Sequence, residues 1–369
     1  MLNGEIIQAI EAVFPPSYQE SWDNTGLQVG SRAVECTGVL VCVDVTPEVV
    51  DEAISSGCNL IISHHPLFFK PIRRLTGDTV QQTAAMNAIA AGVSIYSSHT
   101  AADSAPGGVS YTMADKLGLK VLRTLSPAHL SLYKLQVMVP VSHAESLRLA
   151  LFDVGCGEFG YYDSCSYNVD GYGTYRACEG ARPFAGAVGE MHTEPETSVS
   201  MIVPENLRAR AEQVIAQVHP YECPAYEWIK IENTEPSVGL GIVGTLDTPL
   251  TPAQLIERVK QAFGSPVVRS SVLEKALAAD TRVRRVALCG GAGADLIPDA
   301  VRAGAQVYIT SDVKYHAFAD HAADIFIIDI GHFEAEQCTK QIFYQIISRK
   351  FANFAVHKSL VQQNPIQYR

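Results

Sequence analysis

The chain has 369 residues, enough for two or three domains and at least one full hydrophobic core. Its 47% hydrophobic content is that of a globular protein and argues against a disordered or fibrous one. With 28 Lys and Arg against 39 Asp and Glu, the formal charge is −11. That balance, without any basic stripe, counts against a nucleic-acid backbone or an anionic membrane as partner, while leaving room for a local pocket that takes a phosphate-bearing small molecule.

The opening segment MLNGEIIQAIEAVFPP lacks the basic region and the continuous apolar run of a signal peptide. It reads as a short amphipathic helix carrying Ile6, Ile7, Ile10 and Val13. No apolar stretch approaches the ~20 residues of a membrane span. The nine cysteines are odd in number and form no CxxC, so neither a disulfide framework nor a structural zinc module is indicated. Cys42, Cys58 and Cys289 sit in apolar, strand-like runs and read as small buried side chains. A reducing cytoplasm is the expected compartment.

After the first helix, SWDNTGLQVG (21–30) reads as a polar loop and Val39–Thr46 as a buried strand. Pro47 opens a helix that runs through Ile54 and stops at Gly57. CNLIISHHP is the next strand, ending at His64-His65-Pro66. A helix from Val80 to Ala91 is closed by Gly92, and GVSIYSSHTAAD supplies a third strand and its loop. Late in the chain the rhythm returns. VRRVALCGGAG is a strand entering a glycine loop, and Asp295–Ala303 is a short helix with Pro298 in its first turn. AQVYITSD and ADIFIIDIGH are strands, and Glu334–Arg349 reads as a closing helix. Short apolar strands alternating with helix-length segments predict βαβ units and a largely parallel sheet in each half.

The middle differs. YKLQVMVPVSHAESLRLALFDVG and ETSVSMIVPENLRARAEQVIAQVHP each read as strand, Val-Pro, helix, with glycines and tyrosines between them, among them Gly157, Gly160, Tyr161, Tyr167 and Gly171. The order β-α-β-β-α-β is a ferredoxin-like plan. The expected fold is therefore α/β: two related α/β halves with parallel-rich sheets, at 1–127 and 238–369, interrupted by an inserted α+β ferredoxin-like domain at about 130–232. The insertion leaves the outer fold intact if its two ends emerge close together.

Five residues of metal-ligating type fall at predicted strand ends. His64 and His65 stand where a buried strand meets proline, at the edge where open α/β sheets usually hold ligands. As a bare dipeptide they also fit a solvated pair beside a turn. Asp103 follows the next strand and precedes Gly107-Gly108; alone, it would be a cap or turn residue. His332 and Glu336 share a helical face if a helix begins by Gly331. Their His-x-x-x-Glu order is not the HExxH of zincins. Imidazole with carboxylate suits Zn, Fe, Mn or Co. Three histidines and two carboxylates suffice for two ions only if a carboxylate bridges, and paired divalent ions make hydrolysis the default chemistry. His99, Asp312 and His316 are candidates for proton transfer or for orienting a ligand, and Asp44 for orienting an imidazole from below. A capping aspartate and a partly exposed histidine describe these equally well. Cys289-Gly290-Gly291-Ala292-Gly293 reads first as a tight turn, with a role at substrate phosphate second, since it lacks GxGxxG and GK[ST]. Without GxSxG or a recognisable Cys–His arrangement, covalent nucleophilic catalysis has no support.

WDNTGLQVG (22–30), SHHPLFF (63–69), SSHTAAD followed by GG (97–108), SDVKYH (311–316) and GHFEAE (331–336) together resemble the dinuclear-metal family whose members are named GTP cyclohydrolase 1 type 2 homologues. The resemblance covers both outer regions, with the motifs in family order. It implies His64, His65, Asp103, His332 and Glu336 as ligands of two divalent ions, and none of the five is replaced. Ala101 departs from the more usual Thr-Asn-x-Asp pattern. The middle segment resembles the CutA-like domains of longer members, and the family implies a ring-like homohexamer. A metal-dependent hydrolase acting on a small nucleotide-like or phosphate-bearing molecule is the expected function. A non-catalytic metal-binding scaffold or regulator is the alternative, and a nucleic-acid-binding role comes third.

Overall fold

The computed structural model describes residues 1–128, 131–160, 162–233, 235–278, 280–361 and 364–369; Tyr161, singled out above, lies outside the described residues. The chain divides into two compact units, one made of Met1–Ala128 with Ser237–Arg369 and the other of His129–Pro236.

In chain order the first unit begins with α1 (Asn3–Val13), β1 (Gly26–Val29), β2 (Val39–Cys42), α2 (Pro47–Ser55), β3 (Leu60–Ser63), α3 (Val80–Ala91), β4 (Ser94–Ser97), α4 (Thr100–Ser104), α5 (Val109–Leu117) and β5 (Leu119–Pro127). The second unit contains β6 (Leu132–Pro140), α6 (Val141–Asp153), β7 (Tyr167–Arg176), β8 (Met191–Pro204), α7 (Arg208–Val218) and β9 (Tyr226–Ile231). The first unit then resumes with β10 (Gly239–Leu250), α8 (Pro252–Phe263), β11 (Arg269–Ser270), α9 (Leu273–Ala276) and β12 (Val283–Ala292). It finishes with α10 (Ile297–Arg302), β13 (Val307–Ser311), α11 (Tyr315–Asp320), β14 (Phe326–Asp329), α12 (His332–Glu336), α13 (Thr339–Lys350) and β15 (Val356–Lys358).

Local signals set many of these bounds. The Thr46 hydroxyl accepts from the Val49 amide and Pro47 occupies the first turn, so α2 starts there. Gly92 closes α3 at φ 70°, where a side chain would be strained. Thr251 and Gln254 form a capping box on α8.

Two sheets make up the first unit. One has the order β1-β4-β3-β2-β15, the other β11-β14-β13-β12-β10-β5. The pairs β2–β3, β3–β4, β12–β13 and β13–β14 are parallel. Parallel strands covered by helices on both faces read as unbroken apolar runs, and β2 and β14 are buried at every residue. Each half lends a strand to the other: β15 extends the first sheet beside β2, and β5 extends the second beside β10. A single core joins them, with Ile6, Ile10, Val41 and Ile62 in the same cluster as Ile242, Val286, Ile309 and Phe343.

Two details differ from the sequence reading. The 21–30 segment is not all loop, because Gly26–Val29 forms an antiparallel edge strand on β4. The closing helix is two helices: α12 ends at Glu336 and α13 begins at Thr339, so the residues that follow Gly331 make a separate short turn of helix.

In the second unit the four strands are antiparallel in the order β7-β8-β6-β9. Leu135, Val137 and Val139 alternate inward from β6 to meet Leu147 and Leu151 of α6 and Ile215 of α7. No helix among the described residues is long and apolar enough to cross a membrane.

Candidate metal centre

The five candidate ligands gather because each lies just past the carboxyl end of a parallel strand, the edge where open α/β sheets leave a crevice. His64 and His65 follow β3, His99 and Asp103 follow β4, Asp312 follows β13, and His332 and Glu336 form α12 after β14. Residues separated by 271 positions meet directly, for His65 Nε2 is 2.8 Å from Glu336 Oε2.

Two groups share Glu336. His64 and Asp103 form one with it; His65 and His332 form the other. The two Glu336 oxygens divide between them. Oε1 is 3.7 Å from His64 Nε2, whereas Oε2 lies 2.8 Å from His65 Nε2 and 2.9 Å from His332 Nε2. His65 Nε2 and His332 Nε2 stand only 3.3 Å apart and aim at common space. His64 Nε2 and Asp103 Oδ1, 3.6 Å apart, are buried with no hydrogen-bond partner. Native interiors rarely leave such atoms unpaired, and a bound ion is one standard reason for it. The donor set therefore fits divalent ions.

Each imidazole is oriented from behind through Nδ1. His64 Nδ1 is 3.1 Å from the Ser98 carbonyl, His65 Nδ1 2.7 Å from Asp44, His332 Nδ1 2.8 Å from Asp312, and His99 Nδ1 2.8 Å from Asp23. This leaves Nε2 facing the crevice in each case, the arrangement that fixes tautomer and ring direction at a metal site. Asp312 sits at φ 55°, a left-handed conformation that aspartate tolerates better than most residues.

The metal-free electrostatics follow from the crowding. Burial opposes protonation of His65, yet the hydrogen bonds to Asp44 and Glu336 and their charges raise it to about 10. His332 is likewise raised, to about 9, against burial, by Glu336 and Asp312. Burial and the neighbouring Glu336 charge push Asp103 upward. Glu336 resists burial and stays well below the usual carboxylate range because His64, His332 and His65 surround it.

Above the ligands opens a cavity of about 490 Å³ lined by Trp22, Phe69, His99, Leu240 and the Gly290–Gly293 backbone. Gly291 has φ 63°, and a Cβ there would lie 2.2 Å from Glu336 Oε1. The glycine loop thus serves close backbone approach to the shared carboxylate, in keeping with a tight turn.

The structure sorts the remaining candidates. His99 belongs to the site, with its ring nitrogens grouped beside His64 and His65. Asp312 is engaged in orienting His332, which uses the carboxylate that a proton-transfer role would need. His316 is not brought to the ligands: it is exposed on α11, its ring lies against Tyr315, and it is in neither the ligand groups nor the cavity wall. Asp23 was missed. It accepts from His99, from the Thr100 amide at 3.0 Å and from the Thr100 hydroxyl at 2.5 Å. Its only trace in the sequence is the polar WDNTG loop, in which nothing marks one acid as the partner of a histidine 76 residues away.

Replacing Asp44 by Asn should weaken metal binding by about tenfold to 100-fold while leaving the fold intact, since the ring loses its anionic anchor and not its nitrogen. Competitive chelator titration would measure it, and unchanged affinity would deny Asp44 its orienting role.

The two-sheet α/β unit thus brings histidines and carboxylates together at the carboxyl edges of both sheets, in groups that could hold a metal ion. The chain belongs to the Duf34/NIF3 (NGG1p interacting factor 3) family, whose model matches residues 1–365. It is 37% identical to a protein of Halalkalibacterium halodurans named GTP cyclohydrolase 1 type 2 homolog, over 92% of this chain and 90% of that one. A Bacillus subtilis protein of the same name is 34% identical, with the same coverage of 92% and 90%. Among solved structures, a Bacillus cereus protein related to NIF3 superposes with a TM-score of 0.86 at 33% identity, covering 100% of this chain and 99% of the other. A Staphylococcus aureus protein gives a TM-score of 0.75 at 29% identity, with the same coverage of 100% and 99%.

Proposed function

We propose that the chain is a dinuclear metal-dependent hydrolase acting on a small nucleotide-like or phosphate-bearing molecule. His64, Asp103 and Glu336 would hold one divalent ion; His65, His332 and Glu336 would hold the other. The observation that carries this reading is the divided Glu336 carboxylate, with unpartnered His64 Nε2 and Asp103 Oδ1 on one side and two converging imidazoles on the other. Such ions supply Lewis acidity and a water-derived nucleophile at neutral pH. The chain's own contribution is to aim three Nε2 atoms by anchoring their Nδ1 atoms, and to present His99, held by Asp23, as the group that exchanges protons with substrate.

The cavity supports a flat substrate. Trp22 and Phe69 are 60% and 50% exposed although both are large and apolar, and both stand edge-on to His99, at 5.9 Å and 5.5 Å. Exposed aromatics beside a polar crevice are suited to stacking on a heterocycle. Trp22→Ala should raise KM about tenfold with kcat nearly unchanged, because stacking at the mouth binds ground state and transition state alike. An equal loss in kcat would place Trp22 in the chemistry instead.

The decisive experiment is metal analysis by mass spectrometry, followed by a turnover screen of nucleotides, phosphoesters and cyclic amides. About two ions per chain and a hit abolished in His65→Ala support the proposal. A stoichiometry near zero under metal-replete conditions rejects it. By resemblance we also propose a cytoplasmic homohexamer in which residues 130–232 form a ferredoxin-like insert; sedimentation equilibrium reads the assembly directly.

A further inference from the structure

The second unit has a cavity of its own, of about 540 Å³, unrelated to the metal ligands in sequence. Its walls combine three aromatic rings with both signs of charge. Tyr221 stands 5.8 Å from Tyr175 and 6.1 Å from Phe184, inclined to each ring, and all three rings line the cavity. Glu196 reaches the same wall, where its Oε1 accepts the Tyr221 hydroxyl at 2.7 Å. Its second oxygen has no hydrogen-bond partner among the described residues. A Cβ on Gly173 would come within 2.5 Å of that second oxygen, so glycine at 173 keeps the carboxylate in place.

This placement is built from below. The buried His219 hydrogen-bonds the Met138 carbonyl through Nε2 at 2.8 Å and accepts the Tyr221 amide on Nδ1 at 3.1 Å, which fixes the neutral Nε2–H tautomer. Tyr221 is thereby held at both ends, by His219 at its backbone and by Glu196 at its hydroxyl. Arg176 and Arg182 also line the cavity, as does Glu222, whose Oε2 accepts the Arg182 backbone amide at 2.8 Å; no guanidinium ion pair of either arginine is seen among the described residues.

We infer that the second unit binds a small zwitterion that joins an ammonium group to a carboxylate, as amino acids and betaines do. Aromatic faces attract a cation through their ring quadrupoles, and a carboxylate at the cage wall adds direct charge. The planar guanidinium fork matches a carboxylate with two parallel hydrogen bonds. A cavity of this size falls within the usual range for small-molecule sites. A simple organic cation would leave both arginines unmatched, and a simple organic anion would meet Glu196.

The test is isothermal titration calorimetry on the full-length chain with glycine betaine, proline, choline and benzoate. The expected result is saturable binding of one zwitterion per chain, with choline and benzoate weaker by about tenfold or more. Glu196→Gln and Arg182→Ala should each lower zwitterion affinity by about tenfold. Tyr221→Phe removes only the hydroxyl and guards against a Glu196 variant that fails to fold; it should weaken binding while keeping the melting transition. His65→Ala should bind the zwitterion as wild type does, which separates this site from the metal reading. Absence of saturable binding by every compound up to about 10 mM, binding of choline or benzoate in preference, or wild-type affinity in Tyr221→Phe would each overturn the inference.

Discussion

Glu336→Gln should remove nearly all the metal that the proposed centre would bind, whereas His332→Ala should leave about one ion behind. The asymmetry follows from the division of the Glu336 oxygens. Oε1 faces the His64 and Asp103 group and Oε2 faces the His65 and His332 group, so one substitution strikes both sets. The carboxylate is 2% exposed, and no solvent replaces its charge. Without it, His65 and His332 have lost the anion that lies within hydrogen-bond distance of both Nε2 atoms. A neutral amide presents one oxygen and one nitrogen, and the nitrogen cannot ligate. The expected fall in affinity is on the order of 100-fold or more for each ion, beyond what loss of an orienting partner produces. Metal counts on the two purified variants decide the matter. A Glu336→Gln protein that retains two ions, or a His332→Ala protein that loses both, would mean that the carboxylate is not shared.

Metal loading should expel protons, and apparent affinity should climb steeply with pH. In the metal-free chain His65 is raised to about 10 and His332 to about 9, while burial and Glu336 raise Asp103. At neutral pH these groups hold protons that an ion must displace, because only neutral imidazole and ionised carboxylate ligate. About two protons per chain should appear in solution near pH 7.5, read from the dependence of binding enthalpy on buffer ionisation enthalpy. An enthalpy that ignores the buffer would sink this prediction. The stability of the metal-free chain runs the other way. Folded values raised above the ordinary histidine range, near 6.5, give a contribution that is fully present below that value. It is lost as pH rises through about 9 and then about 10 for His332 and His65 respectively. Metal-free protein should therefore melt at lower temperature as pH rises from 7 to 10, while excess metal reverses the trend.

The ends of the three strands that precede His64, His99 and His332 were legible in the sequence because those strands are largely apolar and give way to polar residues or glycine. LIIS stops at His64, SIYS stops before His99, and FIID stops before Gly331. The five candidate ligands could be named from residue type and position at those ends, helped by motifs standing in family order. Helix α2 was equally legible, since Pro47 and Gly57 carry local start and stop signals. The split between α12 and α13 was not, because Gln337 and Cys338 break the helix without any proline or glycine to announce it.

By itself, then, the sequence determined most of the buried strands and which chemically apt side chains follow them, though it ran the Val39 strand on to Thr46 where the structure ends it at Cys42 and read the Gly26–Val29 strand as loop. These properties are local, written in residue polarity and caps over a few positions. Only the tertiary structure decided that His65 meets Glu336, that one carboxylate turns an oxygen to each group, and that Asp23 and Asp44 anchor the rings while His316 stands apart. Those outcomes depend on strand pairing and register between distant segments, including the exchange of β5 and β15 between the two sheets. A shift of one residue along a strand would turn a ligand to the opposite face. No local pattern encodes that choice, because it is made by packing the whole apolar core at once.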